Sequence, residues 1–197
     1  FQLTDGTAKD YLGFGAGVRN LPSSFPAHLG EHSTDEAAAF TRQINQRWGI
    51  NKFTAIPDQK ISLASHRSYD VGGWKIGNIT NLNWSTEFDY SETVNNNYIA
   101  YDVKNDVSRP RFEYNDIRYK NTSKLGALFN WSFQRDGSKY ELRNFFSQRG
   151  VSALTQREGM NYYSDKDIRK WESLYTGRTT YSGQISGCLL YTSDAAD

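Results

Sequence analysis

Residues 73–91 read GWKIGNITNLNWSTEFDYS, and this stretch decides the fold class of the chain. Most even-numbered positions carry apolar or aromatic side chains, and most odd-numbered positions carry small, amide or charged ones. A period of two is typical of a β-strand whose two faces meet different surroundings. The apolar face contains Trp74, Ile76, Thr80, Leu82, Trp84, Thr86, Phe88 and Tyr90, and the polar face contains Lys75, Gly77, Asn81, Asn83, Ser85, Glu87, Asp89 and Ser91.

Three further segments show the same alternation. Leu125–Gln134 and Ile168–Gly187 have two distinct faces, and Gln59–Tyr69 is a weaker case. Such segments, separated by turns, predict an all-β chain. Their apolar faces contain Leu125, Ala127, Phe129, Trp131 and Phe133 in the first segment, Trp171, Tyr175, Thr179, Tyr181 and Ile185 in the second, and Ile61, Leu63 and Tyr69 in the third.

The connections between these segments alternate between short and long. Arg135–Ser138 contains the Asp-Gly pair of a tight hairpin, from which Tyr140–Gln148 is predicted to pair back, and Val71–Gly73 forms another tight turn. Residues 95–120 and 150–167 are predicted to be long loops. Outer-membrane barrels have short periplasmic turns and long extracellular loops, so this alternation favours such a barrel.

Strand length and aromatic positions favour a membrane protein over a soluble one. Alternation alone does not separate the two, because a soluble sandwich also has one dry and one wet face. The segments approach or exceed the roughly 9–11 residues of a strand that crosses a bilayer, whereas strands of globular sheets have about five or six. Trp74, Trp84 and Tyr90 on one strand, and Trp171 and Tyr181 on another, are placed to mark the interfaces of an apolar band. We therefore predict part of the wall of an antiparallel transmembrane β-barrel.

The composition agrees with a strand-rich protein and disfavours some partners. The chain contains 13 Tyr, 11 Phe and 5 Trp, which are residue types that favour strands and membrane interfaces. Its 23 basic and 22 acidic residues nearly cancel, so it lacks the electrostatic footprint of a nucleic-acid-binding protein. No apolar run approaches the roughly 20 residues of a membrane-spanning helix, and Phe1 does not open a signal peptide. Neither absence excludes a barrel, because barrel strands hide their hydrophobicity in alternation.

The first 56 residues are predicted to be mainly a long extracellular loop that carries one short helix. Ser33 and Glu36 have the spacing of a capping box, in which each side chain binds the other residue's amide. The helix is expected to run roughly from Thr34 to Trp48, with Gly49 as its C-terminal cap. Its apolar stripe contains Phe40, Ile44 and Trp48.

The last ten residues, Cys188–Asp197, read CLLYTSDAAD, like the in-frame translation of a common sequencing transposon adapter. We treat these residues as an artefact, which leaves residues 1–187 as the native part, with strands and loops over 57–187. Gly187 is then not expected to be a natural end. The single cysteine belongs to the adapter, so neither a disulfide nor thiol chemistry is predicted.

Two motifs suggest chemistry that their context disfavours. His28–His32 has the His-x-x-Glu-His pattern of one zinc peptidase group, but Pro26 and Gly30 disturb the helix that would bring both imidazoles to one metal. A solvated loop is the prediction there. Gly13–Gly17 is glycine-rich like a phosphate-binding loop, yet it lacks the dinucleotide spacing and the strand-to-helix context, so a flexible loop is expected.

Polar residues of the strands suggest a lining and not a catalytic centre. Glu87 and Asp89 share one strand face, and an acid–base pair would require surroundings that separate their pKa values. Nothing in the sequence indicates such surroundings, so both are predicted to line a polar lumen. His66 lies on the polar side of its strand and has the same interpretation.

Aromatic and basic residues cluster in residues 98–120, inside the first predicted long loop. Rings that stack and guanidinium groups that form paired hydrogen bonds could hold a sugar or an anionic chelate. Self-packing of the loop is the alternative. The candidate substrate-contact residues are Tyr101, Arg109, Arg111, Tyr114, Arg118 and Tyr119.

Several segments, taken in order, resemble TonB-dependent outer-membrane receptors of the Bacteroidetes type. No single motif is diagnostic, but the resemblance covers nearly all of residues 5–187. It is carried by Gly17–Pro22, the helix that closes at Trp48, Pro57–Gln59, Gly77–Ile79, Leu128–Trp131 and Leu174–Gly187.

The resemblance implies a large antiparallel barrel of about 22 strands that is closed by a plug. This chain would supply about five strands near the beginning of the barrel, together with the first large extracellular loop. It would not contain the plug or the segment through which the TonB motor acts. The family brings no catalytic residues, so neither an enzyme nor a cofactor is predicted.

The predicted function is therefore part of an active transporter in the bacterial outer membrane. The expected partners are outer-membrane lipid, a nutrient ligand and TonB through the missing plug segment, and a surface lipoprotein stays open as a further partner. Iron chelates, cobalamin, glycans and peptides all stay open as substrates. The alternative function is a soluble β-rich carbohydrate-binding domain, and a zinc peptidase is a weaker third.

Overall fold

The computed structural model describes residues 1–4, 6–44 and 49–189, and its main feature is one antiparallel β-sheet. Five strands follow one another in the sheet in the order of the chain, each hydrogen-bonded to the next. About five strands were predicted, and this is confirmed. The elements are β1 (Gln2–Thr4), α1 (Thr34–Arg42), β2 (Ile50–Lys52), β3 (Gln59–Val71), β4 (Trp74–Asp102), β5 (Val107–Arg135), β6 (Ser138–Asn161) and β7 (Lys166–Leu189), with 3-10 helices at Asp10–Leu12, Gly15–Val18 and Leu29–Glu31.

The strand register places all the predicted apolar faces on one side of the sheet. In one row across the sheet, Leu63 pairs with Leu82, Leu82 with Ala127, Ala127 with Phe146, and Phe146 with Tyr181. We call this side the apolar face: it carries the odd-numbered residues of β3, β5 and β7 and the even-numbered residues of β4 and β6. The opposite side is the polar face. This pairing confirms the predicted alternation. It is a sensitive test, because a slip of one residue in any strand would move the apolar side chains of that strand to the other side.

Two tight turns set this register at one end of the sheet, which we call the proximal end. Gly72 and Gly73 join β3 to β4, with φ of 57° and 81°, and Asp136 and Gly137 join β5 to β6, with φ of 45° and 75°. Two central residues with positive φ match the twist of the flanking strands, which is why Gly-Gly and Asp-Gly occur there. Both predicted turns are confirmed.

The two predicted long loops are wrong. Pairing of β4 with β5 continues to Asp102 and Val107, and pairing of β6 with β7 continues to Asn161 and Lys166. Residues 103–106 and 162–165 form the turns at this end of the sheet, which we call the distal end. The strands continue because each backbone finds its hydrogen-bond partner in the next strand, even where polar residues on both faces erase the alternation.

The N-terminal part, residues 1–57, is more structured than a long loop. β1 pairs with β2, and the helix α1 has the predicted capping box: the Ser33 amide donates to Glu36 Oε2 over 3.0 Å, and the Glu36 amide donates to Ser33 Oγ over 3.4 Å. The predicted helix end is wrong, because α1 ends at Arg42 with Gln43 as its cap. Residues 45–48, which include Trp48 of the predicted stripe, lie outside the described residues.

The N-terminal part packs on the distal half of the apolar face and creates the core there. Leu3 of β1 and Leu154 of β6 are buried, and so are the polar residues Thr86, Asn121 and Ser123 of the sheet. In the described residues nothing comparable covers the proximal half of the same face. Its uncovered side chains include Leu63, Leu82, Phe129, Tyr140, Tyr181 and Ile185.

Within the described residues the sheet does not close on itself. The outer strands β3 and β7 each pair along one edge only, and β3 is exposed along its whole length. β7 continues through Cys188 and Leu189, while residues 190–197 of the suspected adapter lie outside the described part. No helix in the described ranges is long and apolar enough to cross a membrane.

Candidate functional site

The six candidate contact residues lie in strands and not in a loop, and the sheet divides them. Tyr101 and Arg109 lie in neighbouring rows near the distal turn at 103–106, where both are exposed. Arg111 lies at a register shift of β5. Further along β5, alternation sends Tyr114 and Arg118 to the polar face and Tyr119 to the apolar face. The six therefore do not form one cluster.

Tyr114 is the centre of a packed group on the polar face. Tyr114 is buried, and its ring stacks on Phe112 with 4.6 Å between the two centroids. The guanidinium of Arg157 lies 5.0 Å from the centroid of the Tyr114 ring. Arg157 also donates two hydrogen bonds to Asp116, of 2.7 Å from Nε and 2.6 Å from Nη2. Hydrogen bonding from Arg157 lowers the pKa of Asp116 from its usual value. This two-pronged pair fixes the guanidinium plane over the ring.

Tyrosines at the distal turns add a more exposed set of rings. The Tyr162 hydroxyl donates to Glu113 over 2.9 Å, which raises the pKa of Tyr162. The guanidinium of Arg111 lies 5.4 Å from the ring of Tyr163, and both tyrosine amides donate to the Arg111 carbonyl. The Tyr101 hydroxyl donates to Asp106, which raises the pKa of Tyr101. The distal end thus offers rings for stacking beside groups that form hydrogen bonds.

A groove of about 410 Å³ lies on the apolar face, distal to β1. Its volume falls within the range of about 300–1,000 Å³ that is usual for ligand pockets. Tyr90 donates to Glu92 beside it, which raises the pKa of Tyr90 to about 12. Gln156 at the groove donates to Gln2 over 2.8 Å, so β1 forms part of its surroundings. Its side-chain lining includes Glu92, Val94, Asn115, Ile117, Gln156 and Glu158.

The carboxylates that were predicted to share a face do so, and each pairs with a lysine of β5. Lys124 Nζ lies 3.2 Å from Glu87 Oε1, and Lys120 Nζ lies 2.6 Å from Asp89 Oδ2. His66 lies on the polar face, as predicted, beside a groove of about 440 Å³ that opens at Gly77. These groups give the polar face alternating charges, which suits a wet surface.

The N-terminal part is held to the sheet by a buried polar clamp. Asp10 and Arg19 form an ion pair of 2.7 Å, and both side chains are largely buried. The Arg19 guanidinium lies 4.4 Å from the ring centroid of Tyr175, whose hydroxyl accepts a 2.8 Å hydrogen bond from the Gly15 amide. Burial raises the pKa of Tyr175. A small cavity of about 100 Å³ beside the clamp is below the size of ordinary ligand pockets.

The prediction of a flexible loop at Gly13–Gly17 is wrong. This segment forms parts of two 3-10 turns and lies directly on β6 and β7. A Cβ on Gly150 would lie only 2.6 Å from Gly13 Cα, so the two backbones touch. Gln148 also donates to the Gly13 carbonyl. Gly13 therefore serves the close approach of the two backbones.

The His28–His32 segment contains a short 3-10 turn at Leu29–Glu31, and α1 begins after it, as predicted. His32 lies 3.8 Å from Glu36 and packs against Phe40. In the part of the chain that the structure describes, no three His, Cys, Asp or Glu residues form a group that could hold a metal ion.

Sequence reasoning missed Asp116 and Arg157, because both lie in segments that were predicted as loops. The sequence did contain a signal that could have located this pair. The turn at Asp136 and Gly137 fixes the pairing of β5 with β6, and extending that pairing places Asp116 directly opposite Arg157. The opposite charges of the pair would have supported the longer hairpin.

Comparisons with known protein families, with curated proteins and with solved structures found no match for this chain.

Proposed function

We propose that this sheet is part of the wall of a bacterial outer-membrane β-barrel, and that the whole protein is a TonB-dependent nutrient transporter. The observation that carries the proposal is the uncovered proximal half of the apolar face. Large apolar side chains from all five strands lie there side by side and exposed. A contiguous apolar surface of this kind favours a nonpolar partner, and hydrocarbon would cover it.

The polar side chains within this apolar area support the same proposal. The Asn78 side-chain amide donates to the Asn130 carbonyl over 3.1 Å, and Tyr181 donates to Asn144 over 2.9 Å. Arg67 is level with Asn78, four residues from Trp74 along the strands, and it donates to Tyr69 over 3.4 Å. In hydrocarbon, polar groups must find partners inside the protein, and Asn78 and Tyr181 have them.

The opposite side of the sheet suits a water-filled interior. The polar face carries the pairs Glu87–Lys124 and Asp89–Lys120, and Glu141 lies 2.6 Å from both Lys139 and Arg143. This face is interrupted by Ile79, by the paired Leu128 and Phe145, and by Val151 and Leu174, but no row across all five strands is apolar. Apolar residues outside and polar residues inside are the arrangement of an outer-membrane barrel.

The open edges support a wall that continues on both sides. β3 and β7 each present an unpaired row of backbone groups, and neither strand is short. Proteins protect long edges, and closure of a barrel removes them. In the proposed transporter, further strands pair with both edges, and the plug that TonB pulls lies beside the polar face.

In this proposal the distal end contacts the nutrient. The exposed distal tyrosines supply stacking surfaces and hydrogen-bonding groups beside the packed Tyr114–Arg157–Asp116 group, and Tyr101 and Arg118 stay exposed for a ligand. This part of the chain binds and orients a ligand; transport depends on the plug.

The test is to fold the 197-residue chain in buffer alone and in detergent micelles. We expect aggregation or disorder in buffer, and a β-rich circular dichroism spectrum with protected tryptophans in detergent. A cooperative thermal melt of a monomer in buffer would overturn the proposal.

The second candidate function is a soluble carbohydrate-binding domain, which one observation favours. The N-terminal part covers half of the apolar face, as the second layer of a soluble protein would. This function predicts a folded monomer in buffer. It also predicts that an oligosaccharide titration quenches the tyrosine and tryptophan fluorescence, and that removing the exposed Tyr163 ring weakens the quenching.

A further inference from the structure

We infer that Tyr11, Leu12 and Phe14 form a rim that rests on the lipid surface where the apolar band of the sheet ends. This inference rests on the proposed function, because it needs the apolar face to meet lipid. It goes further, since it places the N-terminal part in contact with the membrane surface and not free in solution.

The position of the rim along the strands is fixed by direct contacts with the sheet. The Trp84 indole donates a 2.6 Å hydrogen bond to the Tyr11 carbonyl, and the ring of Phe14 stacks on Phe146 at 6.4 Å. Between these contacts, Gly13 lies against Gly150. The rim therefore crosses the sheet over the rows from Phe146 to Gly150 of β6, and Trp84 of β4 lies level with Gln148 between them.

The sheet changes character across these rows. In the Phe146 row the apolar face carries Leu82 and Tyr181, and proximal to it Phe129 and Ile185, all exposed. On the distal side, the same face carries Thr86, Asn121, Ser123, Gln148 and Ser152, all buried beneath the N-terminal part. The exposed apolar part of the face thus ends where the N-terminal part begins to cover the sheet.

The rim itself is apolar and uncovered. Tyr11, Leu12 and Phe14 are 49%, 45% and 39% exposed, although the Asp10–Arg19 pair beside them is buried. Three neighbouring apolar side chains that stay partly exposed form a small apolar patch. At a membrane interface the arrangement is favourable, because aromatic and aliphatic groups partition to the headgroup boundary.

The height of the band agrees with a bilayer. Trp74 and Trp84 are ten residues apart on β4, which corresponds to about 34 Å along a strand. A tilt of roughly 40° reduces this to about 26 Å, close to the apolar band of about 25 Å in outer-membrane barrels.

The other boundary also has interface residues. At the proximal end, Trp74 lies 6.5 Å from Tyr140, and the guanidinium of Arg135 lies 5.8 Å from the Trp74 ring. An aromatic pair beside an arginine suits the headgroup region, where the ring stays in the interface and the charge reaches water. The rim is the matching boundary at the distal side.

The test uses depth-dependent fluorescence quenching in phosphatidylcholine vesicles. A fluorophore is attached to the 197-residue chain through Leu12→Cys, Phe129→Cys or Gly30→Cys, each in a Cys188→Ser background. Gly30 is the matched control in the N-terminal part, because its surroundings are open. The vesicles contain phosphatidylcholine with a doxyl quencher either near the headgroup or near the middle of the acyl chain, and iodide is the aqueous quencher.

We expect the label at Phe129 to be quenched most by the deep doxyl group, the label at Leu12 most by the shallow one, and the label at Gly30 by iodide alone. If Phe129 is quenched by lipid while Leu12 behaves like Gly30, the rim inference is overturned and the proposed function stands. If no label is quenched by lipid, the proposed function fails and the inference fails with it.

Discussion

Two phenylalanines on opposite faces of the sheet provide a decisive test of the membrane proposal. Phe129 lies on the apolar face of β5 and is 47% exposed, while Phe145 lies on the polar face of β6 and is 45% exposed. Their levels along the strands differ by one row, because Phe129 pairs with Asn144. Substitution of each by lysine changes the same residue type at nearly the same exposure, so the main difference between the variants is the medium that each face meets.

The expected difference follows from the depth of Phe129. It pairs with Thr80, six residues from Trp74 in a band of ten, which places it near the middle of the proposed membrane. Lysine on a lipid-facing site at that depth costs about 2–4 kcal/mol. Loss of a half-buried ring costs about 1 kcal/mol in both variants. Phe129→Lys should therefore shift the folding equilibrium by roughly 30- to 700-fold more than Phe145→Lys, at 1.4 kcal/mol per tenfold change.

The assay is a urea titration of each variant in phosphatidylcholine vesicles, followed by tryptophan fluorescence and circular dichroism. Both variants are compared with the unsubstituted chain at equal lipid concentration. Equal destabilisation by the two lysines would refute the reasoning, because it would mean that both faces meet water. A larger effect at Phe145 would place the oily surroundings on the wrong side of the sheet.

Three further predictions concern the packing of the chain. Gly150→Ala should lower the free energy of unfolding by about 1–3 kcal/mol through overpacking and expose residues 6–20 to limited proteolysis. Gly17→Ala should change neither stability nor proteolysis, because a Cβ there has nothing within 4 Å. Equal proteolysis of both variants would contradict the backbone contact. Asp116→Asn should lower stability by about 1 kcal/mol in urea titrations, more than Glu158→Gln in its exposed pair. Since its ion pair lowers the pKa of Asp116, this contribution is fully present above pH about 4 and is lost as the pH falls through the lowered value; a pH-independent difference would exclude it. Ser33→Ala should remove about 1 kcal/mol from α1 and speed amide hydrogen exchange in its first turn about fivefold, while unchanged exchange would show that the cap contributes nothing.

The sequence predicted the sheet well wherever side chains alternate. The faces of β3, β4 and β7 could be read from a period of two, and the glycines at 72, 73 and 137 marked the turns through their positive φ. The capping box located the start of α1, because its two residues are only three positions apart and interact across a single helical turn.

The candidate site was less predictable, because it depends on residues that are far apart in sequence. Tyr114 was identified by residue type, but its burial comes from Phe112 and from Arg157 on the next strand. Tyr119 was grouped with Tyr114, but the two lie an odd number of positions apart in β5. Tyr119 therefore lies on the other face of the sheet, against Phe1. Composition of a segment does not determine which of its side chains converge.

By itself, the sequence determined which residues share a face and where the chain reverses, because both depend on neighbours within a few positions. Only the tertiary structure decided how far the hairpins extend, since in 95–120 and 150–167 the pairing is stabilised by backbone hydrogen bonds to an adjacent strand and not by a side-chain pattern. It also decided that the N-terminal part lies on the apolar face. That placement depends on contacts across more than a hundred residues, such as Gly13 with Gly150 and Gly15 with Tyr175, which no local period encodes.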